Sequence, residues 1–433
     1  MRRLYMSFLG LGSYKEDKGI YEYDPTVYQL HGRSSTRTKF VQVAEIELLG
    51  PGRFDTILVV TTDKSYGTHF EALRQQLEAL GSTEVISVRI PESMEPQDQW
   101  IWFERILAHI EPGDELTVDI THGYRSIPIV FSAAINFLQK ARGVILNAVY
   151  YGAYDKDRSL APIVNMKDFF AINEWAEGVS RLVEDADIRK IAEVSETTPD
   201  FQVGELNDDE LIKALNDLTN AIRNVDVNNV GEKAGTAIEL VKRKRTSASL
   251  TGRMLLGLVL DKFAGLVSSV PATQQYYKKA YFLVQLELIR MLLEHKLYMQ
   301  AYTVMRELIA AIGVLEVAKD LKVLSSKGRD KRKYYGEIFV RMMKYPRESW
   351  DFSGKEETAV GKLLPFYESL DQIGAGDLLK KVVPDLLEFR NGFDHCWTSK
   401  PGADAGIQQM GDLFLERLTR ALDILVETGI ISE

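Results

Sequence analysis

Two short stretches of the chain carry side chains whose types and spacing could do chemistry. In the first, Asp119-Ile120-Thr121-His122-Gly123-Tyr124-Arg125 puts an acid, a threonine, a histidine, a glycine and an arginine within seven positions. Leu116, Val118 and Ile120 are strand formers, Ser126 is a candidate N-cap, and Pro128 falls in the first helical turn. A strand that runs into a loop at a helix N-terminus aims backbone N–H groups and the positive end of the helix dipole at one spot. That spot suits an anion, and Arg125 adds charge there. An ordinary strand-to-helix connection would use the same residues, so the pattern alone leaves both readings open.

The second stretch lies near the carboxyl terminus: Glu388-Phe389-Arg390-Asn391-Gly392-Phe393-Asp394-His395-Cys396, in a helix that Pro384 can open. Asn391 and His395 are four apart and share a helical face. Arg390 is offset from His395 by about 140°, but its side chain is long. Nothing else in the chain resembles a catalytic set. It has no Gly-x-Ser-x-Gly elbow, no Gly-Lys-Ser/Thr phosphate loop and no His-x-x-x-His pair. Cys396 beside His395 makes a poor nucleophile–base pair, because adjacent helical residues diverge; it is expected to be buried. Asp394 is expected as a surface carboxylate with no catalytic role.

These stretches sit in a chain of 433 residues, too long for one compact core, so two or three domains are expected. Composition is that of a soluble globular protein, 45% hydrophobic and 27% charged. A net charge of -9 argues against a general nucleic-acid coat protein, though not against an enzyme that holds RNA in a local basic cleft. The single cysteine, Cys396, rules out an internal disulfide and any cysteine-cluster metal site, and fits a reducing cytoplasm. Met1-Arg2-Arg3 followed by Leu4 to Gly12 has the outline of a signal peptide. It is short, lacks a small-residue cleavage site and runs into Lys15, Glu16, Asp17 and Lys18, so it reads as a first strand. No apolar run is long enough to span a bilayer.

The elements that must position the first stretch follow in order. Leu4 to Leu9 reads as a strand, and Gly10-Leu11-Gly12-Ser13-Tyr14-Lys15 as a tight glycine loop. Tyr21 to Tyr28 is expected to form a hairpin around Asp24-Pro25, and Thr38 to Leu49 a helix. Strands at Thr56 to Thr61, Glu84 to Ile90, Leu116 to Ile120 and Val144 to Tyr151 then alternate with helices at Thr68 to Leu80, Pro96 to Ile110 and Ser126 to Ala141. Such alternation with nearly continuous apolar strands means a parallel sheet covered on both faces. Its ligands bind past the carboxyl ends of the strands. Three loops converge there: Gly10 to Lys15, Thr61 to Tyr66 and Thr121 to Ser126. This convergence favours the ligand-site reading of the first stretch. Gly10-Leu11-Gly12 lacks the third glycine of the dinucleotide fingerprint, so no nicotinamide or flavin cofactor is expected.

Three segments together resemble the CARF sensor domain of CRISPR-associated ribonucleases with an Asp-x-Thr-His-Gly motif. They are Ser7-Phe8-Leu9-Gly10-Leu11-Gly12-Ser13-Tyr14, Asp119-Ile120-Thr121-His122-Gly123-Tyr124-Arg125-Ser126 and Tyr150-Tyr151-Gly152-Ala153. The resemblance covers about the first 170 residues. It implies a Rossmann-like domain that dimerises and binds a cyclic oligoadenylate across its two-fold axis. That ligand is an anionic ring with rotational symmetry, which suits an isologous interface. The implied ligand residues are Gly10, Leu11, Gly12, Ser13, Tyr14, Lys15, Thr61, Thr62, Thr121, His122, Gly123, Tyr124, Arg125 and Ser126. His122 could contact or help cleave the ring, or it could hold its own loop by a backbone hydrogen bond.

After Pro162 the patterning becomes helical. Asn173 to Ile191 carries Trp175, Val179, Leu182 and Val183 on one stripe, and Ser195 to Glu205 is a polar connection. Amphipathic helices follow at Asp208 to Asn224, Gly235 to Arg243, Leu250 to Val267, Gln274 to Glu294 and Met299 to Ala318. The expected division is residues 1–170 and 171–433, with 171–267 either a linker or part of the helical core. Lys242-Arg243-Lys244-Arg245 reads as a solvated helix end. Lys327, Arg329, Lys331, Arg332, Lys333, Arg341, Lys344 and Arg347 interleave with Tyr334, Tyr335, Phe339 and Tyr345. That mixture suits single-stranded RNA, and equally an ordinary amphipathic helix after a charged loop.

In this setting Arg390-Asn391 and His395 resemble the Arg-x4-6-His motif of HEPN ribonucleases, with asparagine in its common place. The resemblance implies a mainly α-helical second domain and metal-independent cleavage of single-stranded RNA, with no cofactor, by a dimer or higher assembly. Cyclic tetra- or hexa-adenylate is the implied allosteric activator, type III CRISPR defence the implied setting, and 2′,3′-cyclic phosphate and 5′-hydroxyl ends the implied products. The chemistry is consistent. RNA carries its own nucleophile, the 2′-hydroxyl, and an imidazole can move its proton. Arg390 can stabilise charge growing on the phosphate, and Asn391 can orient the phosphate or His395. Two rivals remain at this stage: a regulator with no enzymatic activity, and an enzyme that cleaves the bound ring itself.

Overall fold

Arg3–Leu9 is apolar at nearly every position, and all of it but Arg3 is buried. In the computed structural model, which describes residues 1–81, 84–93, 95–122, 127–155, 160–197, 205–397 and 406–432, this segment is the centre of a sheet. The chain divides into two compact units, Met1–Asn173 and Glu174–Glu433.

The strands described in the first unit are β1 (Arg3–Leu9), β2 (Ser13–Lys15), β3 (Ile20–Glu22), β4 (Val27–Leu30), β5 (Arg33–Ser34), β6 (Thr56–Thr61), β7 (Val85–Arg89), β8 (Glu115–Asp119), β9 (Ile145–Gly152) and β10 (Leu160–Asn165). All but β2 and β3 form one sheet in the order β5-β4-β10-β9-β8-β1-β6-β7. From β9 across to β7 the pairing is parallel throughout. Leu4, Met6 and Phe8 pack on one face with Trp102, Ile106, Phe131 and Ile135. Tyr5 and Leu9 pack on the other with Phe40, Val43, Ile46, Leu73 and Leu77. Successive side chains of a strand point to opposite faces, so β1 feeds both layers.

Two expectations are corrected. The hairpin is not Tyr21 to Tyr28: β3 pairs antiparallel with β2, setting Tyr21 opposite Tyr14, while β4 crosses to the main sheet and lies parallel to β10. Tyr28, 3% exposed, belongs to a third core with Val41, Ala148 and Ile163, and that burial separates it from Tyr21. The sheet is also not purely parallel. β10 returns antiparallel to β9 because the connection after Gly152 is too short for a crossover, and β5 pairs antiparallel with β4. Pro162 within β10 disguises it as non-strand in sequence.

The regular structure described in the second unit is all helical. The single expected helix Asn173 to Ile191 is two, Lys167–Asp185 and Arg189–Thr197, broken at Ala186, whose φ is 50°. The second folds back so closely that a Cβ on Gly178 would lie 2.9 Å from Ile191 Cγ1. Helix Tyr298–Gly313 packs against Lys279–Glu294, Gly406–Glu427 and Val383–Asp394, the last of which carries the second candidate stretch. Among the described residues, no helix is long and apolar enough to cross a membrane.

Candidate functional site

Within the parallel part of the sheet, β1 is followed by β6 and β7 on one side and then by β8 and β9 on the other. The carboxyl ends of β1 and β8 therefore flank the topological switch point of the sheet, where an open α/β sheet leaves a crevice. A buried polar network organises this place. Asp119, 0% exposed, accepts hydrogen bonds from Ser7 Oγ at 2.7 Å, from the Thr121 backbone N–H at 2.8 Å and from the Thr121 hydroxyl. Gln42 donates to Ser7 Oγ at 2.9 Å, and the Gly152 N–H donates to Thr121 Oγ1 at 2.7 Å. Asp119 thus fixes the first residues of the motif loop and, through Thr121, ties them to the end of β9. Gly152 permits the tie, since a Cβ there would lie 2.8 Å from Val41 Cγ2. Burial pushes the Asp119 carboxyl up to about 6, against the hydrogen bonds that pull it down. Burial also holds nearby Glu45 well above the usual carboxylate range, with the Asp119 charge adding to the effect; its carboxylate accepts from Tyr5 Oη at 2.7 Å.

His122 is packed against Tyr23, ring centroids 4.6 Å apart. Burial, and to a lesser degree His69, lowers its pKa to about 4, so the ring is neutral near pH 7. Its Nε2 is buried without a hydrogen-bond partner among the described residues. His69, on the π-helical turn Tyr66–Phe70, reaches the Leu11 carbonyl oxygen at 3.0 Å.

Over the ends of β1 and β6 lies a cleft of about 270 Å³, lined by Phe8, Leu9, Gly10, Leu11, Gly12, Tyr21, Val60, Thr62, Ser65 and Ile90. Its floor is apolar, one wall is a tyrosine ring, and among the described residues no charged side chain lines it. Thr62 and Ser65 hold one another in a capping box at the start of the following helix. Of the expected ligand residues, Gly10, Leu11, Gly12 and Thr62 line this cleft. Ser13, Tyr14 and Lys15 form β2, where Tyr14 packs on Tyr21 at 5.1 Å and Lys15 pairs with Asp24 at 2.8 Å. Thr61 is 1% exposed and its hydroxyl lies 2.7 Å from Ser87 Oγ, within the sheet. Thr121 and His122 are held as described above. Gly123, Tyr124, Arg125 and Ser126 lie outside the described residues. Sequence reasoning missed Tyr23, His69, Gln42 and the role of Ser7. A lone serine in an otherwise apolar buried strand is the one signal that could have found any of them.

In the second unit, Arg390 and Asn391 lie on helix Val383–Asp394 and His395 is its C-cap, donating its backbone N–H to the Asn391 carbonyl at 3.1 Å. Asn391 and His395 are exposed and Arg390 is half-buried. Arg390 Nη2 lies 3.6 Å from Asp394 Oδ2, so the carboxylate given no role in the sequence reading is the arginine's near neighbour. Cys396 is exposed, not buried as expected. The helix ends before it, and Cys396 and Trp397 take φ of 49° and 57°, turning the chain back. The Trp397 indole then packs against Phe393 at 5.4 Å and Phe389 at 6.3 Å. Gly392 makes room for it: a Cβ there would lie 2.6 Å from the ring. Behind this, Tyr302 meets Phe389, Phe393 and Phe414, and its hydroxyl donates to the Ile407 carbonyl at 2.7 Å. An aromatic buttress thus fixes the turn that carries Asn391 and His395.

The basic stretch is less available than its composition suggests. Arg332 is engaged with Glu307 at 2.8 Å and Tyr281 at 3.1 Å, Arg341 with Glu356 at 2.7 Å, and Arg347 with Glu368 at 2.9 Å. Tyr335 and Phe339 are buried, which leaves Tyr334 and Tyr345 as its exposed rings. Among the described residues, no three His, Cys, Asp or Glu side chains gather as a metal-holding group.

No protein-family model matches the chain. A CRISPR-associated protein of Methanocaldococcus jannaschii is 34% identical over 105 residues, 21% of this chain and 16% of that protein, so the match spans a small part of the relative's length. Among solved structures, Enterococcus italicus Csm6 bound to cyclic hexa-2′-fluoro-hexa-dAMP aligns with a TM-score of 0.47 at 9% identity, covering 99% of this chain and 95% of that one. The chain is thus similar over 105 residues to a CRISPR-associated protein, and it folds as a Rossmann-like unit followed by a helical unit.

Proposed function

We propose that this chain is an RNA endonuclease switched on by a cyclic oligoadenylate, of tetra- or hexa-adenylate size, in type III CRISPR defence. In this reading residues 1–170 are the sensor and 171–433 the helical linker and HEPN ribonuclease. The observation that carries the reading is the half-buried Arg390 beside the exposed Asn391 and His395 at one buttressed helix end. His395 moves the proton of the 2′-hydroxyl or of the leaving 5′-oxygen, Arg390 stabilises the developing phosphorane charge, and Asn391 orients the phosphate. The nucleophile is the substrate's own hydroxyl, so the products carry 2′,3′-cyclic phosphate and 5′-hydroxyl ends, and no metal is required. For this Arg390 must leave Asp394 for the phosphate. The separation of 3.6 Å in a half-exposed pair makes that exchange inexpensive.

The sensor reading is supported by the loops gathered at the switch point of the sheet. The uncharged cleft with its tyrosine wall suits a planar base, and Arg125 on the motif loop supplies charge for phosphate. The burial and neutrality of His122 favour the role of holding the loop over that of attacking the ring. The test is cleavage of a fluorescent single-stranded RNA by the full chain, with and without each cyclic oligoadenylate. Cleavage that ignores every ring removes the sensor claim; absence of cleavage under all conditions removes the nuclease.

A further inference from the structure

Tyr23 lies outside the three sheet-end loops, yet it meets residues on or next to each of them. Its ring, 9% exposed, lies 4.6 Å from His122 on the motif loop, 5.1 Å from His69 on the turn after β6, and 5.9 Å from Phe40 at the start of helix Val41–Leu49. The glycine loop after β1 is pressed against the backbone on which Tyr23 stands. Gly12, φ 75°, approaches so closely that a Cβ would lie 2.6 Å from the Glu22 carbonyl oxygen and 3.1 Å from the Tyr23 nitrogen. His69 closes the circuit by bonding the Leu11 carbonyl oxygen at 3.0 Å. The loops after β1, β6 and β8 are separate in sequence, and each reaches the others through this one ring and its two histidine neighbours. Tyr23 also lies two residues past Tyr21, the wall of the cleft.

We infer that Tyr23, braced by His69 and His122, is the positioning residue that holds the three sheet-end loops in one binding arrangement, so that contact at any of them is felt at the others. The inference rests on the ring-sensor reading above. Packed interiors shift between discrete arrangements and do not deform continuously. A ligand that moves the motif loop must therefore carry His122, Tyr23 and the glycine loop together. Without the ring of Tyr23 each loop is ordered separately at the ligand's expense, and affinity falls while the distant chemistry of the second unit is untouched.

The experiment titrates cyclic tetra- and hexa-adenylate into the 433-residue chain and reads RNA cleavage and direct ring binding for wild type, Tyr23→Leu, Tyr23→Phe and His69→Phe. Tyr23→Leu is expected to raise the ring concentration at half-maximal cleavage about tenfold, with the rate at saturating ring within about twofold of wild type. Tyr23→Phe, which keeps the ring, is expected within about threefold of wild type at both readouts. His69→Phe keeps the aromatic face but loses the tie to Leu11, and is expected to fall between them; it carries the test if Tyr23→Leu unfolds. A wild-type midpoint in both Tyr23→Leu and His69→Phe overturns the inference alone. So does a lowered maximal rate with an unchanged midpoint, the mark of general damage. A wild-type chain that neither binds nor responds to any ring overturns the sensor reading and the inference with it.

Discussion

The buried pair of ionisable groups in the motif, Asp119 and His122, makes a prediction with a sign. Asp119 has its pKa raised from 3.8 to about 6 by burial, so between these values the folded chain keeps a proton that the unfolded chain has released. Its stabilising contribution is full below pH 3.8 and is lost as pH rises through about 6. His122 has its pKa lowered from 6.5 to about 4, so between these values the unfolded chain holds a proton that the folded chain refuses. Its contribution is full above pH 6.5 and is lost as pH falls through about 4. Each shift corresponds to about 3 kcal/mol, and in the window of about pH 4 to 6 the two oppose one another. Asp119→Asn removes one side: relative to wild type, the variant should lose about 3 kcal/mol on acidification from pH 6.5 to 4. His122→Gln removes the other, and should gain about as much over the same range. Urea unfolding of the full chain at pH 4, 5, 6 and 7, followed by tryptophan fluorescence, reads the difference between variants, in which the remaining carboxylates cancel. Wild-type, Asp119→Asn and His122→Gln curves that run parallel across this range refute the reasoning, because both groups would then titrate as in the unfolded chain.

Three further outcomes are expected. His395→Ala and Arg390→Ala should each reduce RNA cleavage by at least about 10²-fold while ring binding persists, and near wild-type cleavage by both would move the active site elsewhere. Mixing wild-type and His395→Ala chains under subunit exchange should give activity that follows the square of the wild-type fraction. One exposed histidine cannot stand on both sides of the phosphate, so two chains would complete the site; a linear dependence means that each chain works alone. Gly392→Ala sets a methyl into the Trp397 ring and should cost about 1–3 kcal/mol, with cleavage falling further as the Asn391–His395 turn shifts. Thermal unfolding and activity at matched temperature check this, and an unperturbed variant would show that the buttress yields freely.

How much was legible in the sequence varies with the range of the interactions involved. The strands β1, β6, β8 and β9 announce themselves as short apolar runs, and the helices between them by spacing, because burial on both faces or on one stripe imposes those periods locally. Arg390, Asn391 and His395 could be singled out as a candidate set because Asn391 and His395 are four apart, a spacing that shares a helical face, and the long Arg390 side chain stands next to them. Where that helix stops was not visible: the reversal at Cys396 and Trp397 folds the indole onto Gly392 and Phe393, and Phe393 is backed by Tyr302 from a helix far away in the chain. For the same reason Cys396 was expected inside and lies outside. Tyr28 was expected to turn back on Tyr21, but a core contributed by Val41, Ala148 and Ile163 drew it into the main sheet. The availability of Arg332, Arg341 and Arg347 depended on acids 25, 15 and 21 positions away, which composition cannot pair. Asp119 looked in sequence like a candidate for chemistry, and tertiary structure makes it the buried anchor of Ser7 and Thr121. Local periodicity and helix geometry thus determined the elements and the Arg390–His395 spacing. Which polar groups are buried, paired or exposed was decided only when segments distant in the chain packed together, because desolvation and hydrogen-bond partners are properties of that packing.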